Sequence, residues 1–427
     1  MSGAVLRLSA TCAALAFLAG CGSSSGGGGS TGGGGNTPTA VTFTFSVGTP
    51  TVVAAKIGSG SFTAQSLNSG KLSLSLPNGT SNFAVAYLCT APSFPIFQDV
   101  FEANTTDGSS FILPCPAPSS TIPMGTLTGS VDGSAIPEAN SLGLAVANGN
   151  NGFVAGVSQD TNFSFNVPAG NDRVEVLAYN SVSNGSVVTS SLVAARTLLN
   201  QAVPGALNGG STVVLGAADE TTLKPITYSN VPSGYSAPST VVDLIMNGAG
   251  GFSIASPMTT QYPALPAGAV QQGDFYEFFA TATNRVNSGE MAIVAQSSTA
   301  AGPVSFTFPS PWTYGGPAPA ALPTFNFAYT GFSGKTGVFQ TALADWDAPT
   351  VGFIEFQVTT SANYLNGSTA VAFPDLSGVP GFVAPPPSGT QVNWVALIAQ
   401  SNVGAPQPMP TDATISTLEN AGAYTVP

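Results

Sequence analysis

The sequence predicts an all-β protein made of tandem antiparallel β-sandwiches, on three observations. Charged residues are 7% of the 427, against about 25% in an ordinary soluble protein. Gly (50) and Pro (34), the poorest helix formers, are abundant, whereas exposed helices carry Glu, Lys and Arg. Short stretches alternate apolar and polar residues and end on Pro-x-Gly, the period of a half-buried strand followed by a tight turn. Low charge alone would also suit disorder, but 43% hydrophobic residues with 26 Phe give apolar surface that a disordered chain lacks. A chain of this length holds about two to four domains.

The N-terminus reads MSGAVLRLSATCAALAFLAGC, with Arg7 ahead of an apolar run from Leu8 to Leu18. The run is shorter than the roughly 20 apolar residues that cross a bilayer, and it fits an export signal. Leu18-Ala19-Gly20-Cys21 resembles the lipobox of bacterial lipoprotein signal peptides. The resemblance implies cleavage after residue 20, diacylglycerol on the Cys21 sulfur and acylation of the new amino terminus. Two or more acyl chains, at about 0.8 kcal/mol per buried CH₂, anchor stably where one is marginal. The alternative is an ordinary signal peptide with an incidental cysteine. Residues 22–39, GSSSGGGGSTGGGGNTPT, lack any large apolar side chain and read as a flexible tether with an r.m.s. reach of roughly 24 Å. Gly22 stands where enteric relatives retained at the inner membrane carry Asp, so outer-membrane or surface residence is expected.

Once Cys12 leaves with the signal and Cys21 takes lipid, Cys89 and Cys115 remain. An exported compartment permits a disulfide between them; two buried thiols or a metal site are the competing readings. Zinc is disfavoured, since the chain has no His.

The repeated phrase occurs four times. Leu72-Ser-Leu-Ser-Leu-Pro77-Asn-Gly79 precedes Phe83–Tyr87, and Phe163-Ser-Phe-Asn-Val-Pro168-Ala-Gly170 precedes Val174–Ala178. Tyr262-Pro-Ala-Leu-Pro266-Ala-Gly268 precedes Phe275–Phe279, and Pro387-Ser-Gly389 precedes Val392–Ile398. Pro-x-Gly between two alternating runs reads as a hairpin turn. The periodicity divides the chain into a signal (1–20), a tether (21–39) and four sandwiches at 40–121, 122–221, 222–321 and 322–427. The phrase, best kept at 163–178, resembles the carboxypeptidase-regulatory-like and related immunoglobulin-like modules of exported bacterial proteins. That resemblance implies non-catalytic spacers, adhesive domains or glycan-contacting accessories.

The chemistry available is narrow. Without His there is no Ser-His-Asp or Cys-His nucleophile system and no His general base. Formal charge is −12, and the bases left after signal removal are scattered singly, which argues against nucleic acid and against docking on anionic headgroups. No cofactor motif is visible. Asp345-Trp346-Asp347 is the most suggestive local group: two acids beside an aromatic suit calcium or a sugar ring. In a strand the two acids would share one face and Trp346 the other, so solvated acids over a core Trp346 is the competing reading. Trp312 and Tyr314, in a Pro/Gly-rich segment, are candidate exposed ligand contacts; Trp394 follows the alternation and is expected in the core. Asp219-Glu220 reads as a solvated turn, and Asn78, Asn162 and Asn366 as turn residues.

Expected function is therefore a non-enzymatic surface lipoprotein that binds the membrane through Cys21 and an unknown protein or glycan outward. A glycan-binding accessory protein and a carboxylate-dependent hydrolase are the alternatives.

Overall fold

A computed structural model describes residues 39–90, 96–115, 123–146, 150–155, 161–184, 187–247, 250–258, 260–348, 351–402 and 413–427. The described residues are almost entirely β, in sheets of mostly antiparallel strands. They divide into two compact units, one drawn from 1–120, 283–292 and 309–427, the other from 121–282 and 293–308.

The first sandwich shows how the alternation builds the fold. Lys71–Leu76 buries every second residue, and so does Ser110–Cys115 apart from half-buried positions. Thr39–Val47 lies between them, antiparallel to the former and parallel to the latter. Facing this sheet are Val52–Ile57, Asn82–Cys89 and Ile96–Asn104. Phe43, Phe83, Phe101 and Phe111 fill the gap, with ring centroids 5.1 to 6.4 Å apart. The Cys89–Cys115 disulfide joins the two layers, its Cα atoms 5.7 Å apart. By loop entropy, closing the 26-residue separation stabilises by about 3.5 kcal/mol.

The pairing recurs down the chain. Met124–Asp132 runs antiparallel to Thr161–Pro168 and parallel to Gly205–Ala206 and Val213–Val214. Thr222–Ser229 runs antiparallel to Gln261–Ala264 and parallel to Val304–Thr307. Thr324–Asn326 pairs antiparallel with Ala370–Ala372.

The Pro-x-Gly turns are not hairpins. Each joins a strand of a small sheet to a strand of the larger sheet facing it: Lys71–Leu76 pairs with Thr39–Val47, whereas Asn82–Cys89 pairs with Val52–Ile57 and Ile96–Asn104. The same separation holds for Thr161–Pro168 and Gly170–Asn184, for Gln261–Ala264 and Phe275–Thr283, and for Ala370–Ala372 and Gln391–Ser401. The physical reason is burial. Leu72, Leu74 and Leu76 share one core with Phe83, Val85 and Tyr87, and the two apolar faces meet only if the chain crosses the roughly 10 Å between layers. Gly79 and Gly389, at φ +80° and +84°, take the left-handed conformation that the corner requires.

In the first unit the large sheet orders Thr414–Thr425, Gln391–Ser401, Val338–Ala348, Gly352–Ser361, Ile96–Asn104, Asn82–Cys89, Val52–Ile57 and Thr63–Ala64. Gly352–Ser361 and Ile96–Asn104 pair in parallel, so the last sandwich continues the sheet of the first. In the second unit the order is Asn150–Ala155, Ser141–Val146, Gly170–Asn184, Val187–Val203, Gly250–Met258, Ser239–Met246 and Phe275–Thr283. There Arg173 ties the two middle sandwiches, pairing with Glu175 at 2.6 Å and with Asp274 at 2.8 Å.

Two smaller expectations are corrected. Asp219 is 7% exposed and forms a bidentate pair with Arg196, at 2.9 and 2.5 Å, while accepting from the Gly216 N–H at 2.8 Å. A carboxylate so placed caps a turn and is not solvated. Asn162 lies inside the strand Thr161–Pro168, whereas Asn366, at φ +47°, does end a short helix at Ala362–Leu365. No helix among the described residues is long and apolar enough to cross a membrane.

Candidate acidic row on the sheet of the first unit

Val338–Ala348 pairs antiparallel with Gly352–Ser361, with Gly352 at φ +87°, and the register sets Asp345 opposite Glu355. On its other side Val338–Ala348 pairs with Gln391–Ser401, which sets Asn393 opposite Asp345. The Asn393 amide donates to Asp345 Oδ1 at 2.7 Å. Directly opposed residues hold their Cβ atoms about 4.5 to 5.5 Å apart, so the two carboxyl groups lie side by side on one face. Beyond Glu355, the neighbouring strand contributes Asp99, whose carboxyl takes a hydrogen bond from Tyr87. Asn393, Asp345, Glu355, Asp99 and Tyr87 thus form a polar row across five strands.

Burial governs the row's electrostatics. Glu355 is 8% exposed; burial first, and then the charge of Asp345, push its carboxyl up to about 7. Asp99 rises well above the ordinary Asp range through burial and through Glu355, with the Tyr87 hydrogen bond pulling the other way. Burial, followed by Asp99, raises the Tyr87 hydroxyl in turn. Glu355 thus keeps its proton up to near neutral pH, which relieves its repulsion with Asp345.

A similar pair occurs in the second unit, where Asp243 stands opposite Glu277 in register. Glu277 is 2% exposed and is pushed up to about 7 by burial and by Asp243; its Oε1 finds no hydrogen-bond partner among the described residues. Burial raises Asp243 too, and a hydrogen bond from Ser253 opposes this. Among the described residues no group of three or more Cys, Asp or Glu is arranged to hold a metal ion.

The residues singled out in the sequence are placed as follows. Asp345 joins the row, Asp347 is exposed, and Trp346 is 3% exposed on the opposite face. Trp312 is 5% exposed and stacks at 5.4 Å on Tyr314 and at 5.5 Å on Phe327. Tyr314 packs edge-on to Trp394 at 5.6 Å. Buried Asn420 fixes this segment by donating to the Trp312 carbonyl at 2.7 Å and accepting from the Tyr314 N–H at 3.3 Å. Trp312 is thus core, not an exposed contact, because its rings complete the small sheet of the last sandwich. Trp394 is buried as its alternation predicts. Cys89 and Cys115 are bonded to one another, and Cys21 lies outside the described residues.

Sequence reasoning missed Glu355, Asp99, Asp243 and Glu277. Glu355 was within reach: counting outward from the Ala348-to-Gly352 turn brings Asp345 onto Glu355. Asp99 was not, because its neighbour comes from a strand more than two hundred positions away, paired in parallel.

No known protein family matches the chain, and no curated protein matches it. Among solved structures it is similar to a leucine-rich repeat protein from Bacteroides thetaiotaomicron, at 13% identity and a TM-score of 0.13, over 43% of this chain and 26% of that one. It is also similar to an adhesin candidate from Bacteroides ovatus, at 8% identity and a TM-score of 0.14, over 37% of this chain and 72% of that one. The chain thus spans about a quarter of the first of these. Overlaps this slight bear on neither fold nor function.

Proposed function

We propose that this chain is a non-enzymatic protein of the bacterial envelope, lipid-anchored through Cys21, which presents its sandwiches outward for adhesion, structural support or protein binding. The observation that carries the reading is the shared sheet of the first unit, in which two sandwiches are fused edge to edge by the backbone pairing of Ile354 through Thr360 with Ile96 through Glu102. A fused pair holds its side chains at fixed spacing on regular strands, which suits contact with a macromolecule. The acids support the same reading. Glu355, at 8% exposure, is buried on its sheet beside Asp345, out of easy reach of a sugar substrate. With Trp312, Trp346 and Trp394 at 5%, 3% and 6% exposure, the tryptophans offer no platform for a sugar.

The test is capture from envelope extracts with a soluble 40–427 protein, run beside a glycan array. Saturable recovery of one protein partner is expected. Hydrolysis of any glycoside that is abolished by Glu355→Gln would sink the non-enzymatic reading. For the anchor, a fatty-acid probe should label the wild type and not Cys21→Ser; equal labelling would refute it.

A further inference from the structure

Phe339 belongs by sequence to the last sandwich, yet its ring is buried in the core of the first. It stacks on Phe101 at 6.4 Å and joins the cluster that holds Phe43, Phe83 and Phe111. We propose that the first sandwich has no finished core of its own and closes only when the last sandwich docks Gly352–Ser361 along Ile96–Asn104, so that the two ends of the chain fold as one cooperative unit.

Several contacts converge on that seam. The Thr360 hydroxyl donates to Glu102 Oε2 at 3.0 Å across 258 positions, with both groups buried. Lys56 reaches the other Glu102 oxygen at 3.2 Å and lies over the rings of Phe62 and Tyr364, at 5.3 and 5.5 Å. Without Thr360, a largely buried carboxylate loses one of its partners. Asp107, in the turn that follows Ile96–Asn104, accepts from Ser361 at 2.5 Å and from Asn363 at 2.6 Å. The Asn82 amide donates to the Tyr364 carbonyl at 3.1 Å, and the Val383 N–H donates to Gln98 at 2.8 Å. Gly381, at φ +98°, leaves no room for a side chain: a Cβ there would lie 2.6 Å from Val52. Absent its partner, Ile96–Asn104 would be an exposed edge with a row of unpaired N–H and C=O groups and with one wall of its core missing.

Hydrogen exchange on the full-length protein tests this. Thr39–Val47 and Ser110–Cys115 lie in the opposite layer of the first sandwich and, among the described residues, form no backbone pairs with the last. In Phe339→Ala their amides should exchange about tenfold faster or more, while Thr161–Pro168 and Thr222–Ser229 in the second unit keep their rates. Phe339→Leu and Thr360→Val, milder changes at the same seam, guard against outright loss of folding and should move the same strands less. Quickening confined to Val338–Ala348 and its direct neighbours would overturn the proposal, as would equal quickening in both units.

Discussion

Glu355 beside Asp345, and Glu277 beside Asp243, are buried carboxyl groups that the register sets against another acid. Both glutamates hold protons up to about pH 7 when folded, against 4.5 in an open chain. A folded-state value above the unfolded one contributes stability that is complete below pH 4.5 and is lost as pH rises through about 7. Asp99, raised as well, acts in the same direction, while the exposed Asp132 and Asp375 are lowered by Ser134 and Ser377 and act in the opposite one. The melting temperature should therefore be higher at pH 5 than at pH 8.5, and the double variant Glu277→Gln, Glu355→Gln should flatten the difference. A melting temperature that rises with pH across this range would contradict the assignment.

For single elements, the alternation in the sequence was enough to locate strands and to put Trp394 and Trp346 inside, because period two assigns each side chain a face without any knowledge of partners. It could not say which strand pairs with which. Lys71–Leu76 and Asn82–Cys89 are neighbours in sequence, and reading them as a hairpin fails because both apolar faces point into one core. Trp312 and Tyr314 were hard to place for a related reason: their Pro/Gly-rich segment forms no ladder, and buried Asn420 holds it through a side-chain amide. The slot for Trp394 is equally specific. A Cβ at Gly316 or Gly422 would fall 2.7 or 2.6 Å from its ring, so Gly422→Ala should destabilise the protein by about 1 to 3 kcal/mol in urea unfolding through overpacking. An unchanged midpoint would mean that the ring moves freely.

The whole molecule depends on joints that no local pattern announces. In the second unit Arg173, with Glu175 at 0% and Asp274 at 2% exposure, leaves two buried carboxylates behind if removed. Arg173→Ala should therefore cost about 3 to 5 kcal/mol, read as an early unfolding transition in which Gly170–Asn184 and Phe275–Thr283 lose amide protection together. Loss of protection in only one of them would show that the pair is not a joint. Composition foretold the scarcity of such ions, since eight bases must serve twenty acids. Which base is buried, and against which acid, is decided by tertiary packing alone.

Thr39–Val47 is the middle strand of its sheet, flanked by Lys71–Leu76 and Ser110–Cys115. A pull along the axis of this strand would load its hydrogen bonds on both sides in shear, so that they share the strain instead of parting one by one. The disulfide from Cys115 into the opposite layer passes that load beyond the first sheet. A sandwich pulled through such a strand resists unravelling from it strand by strand.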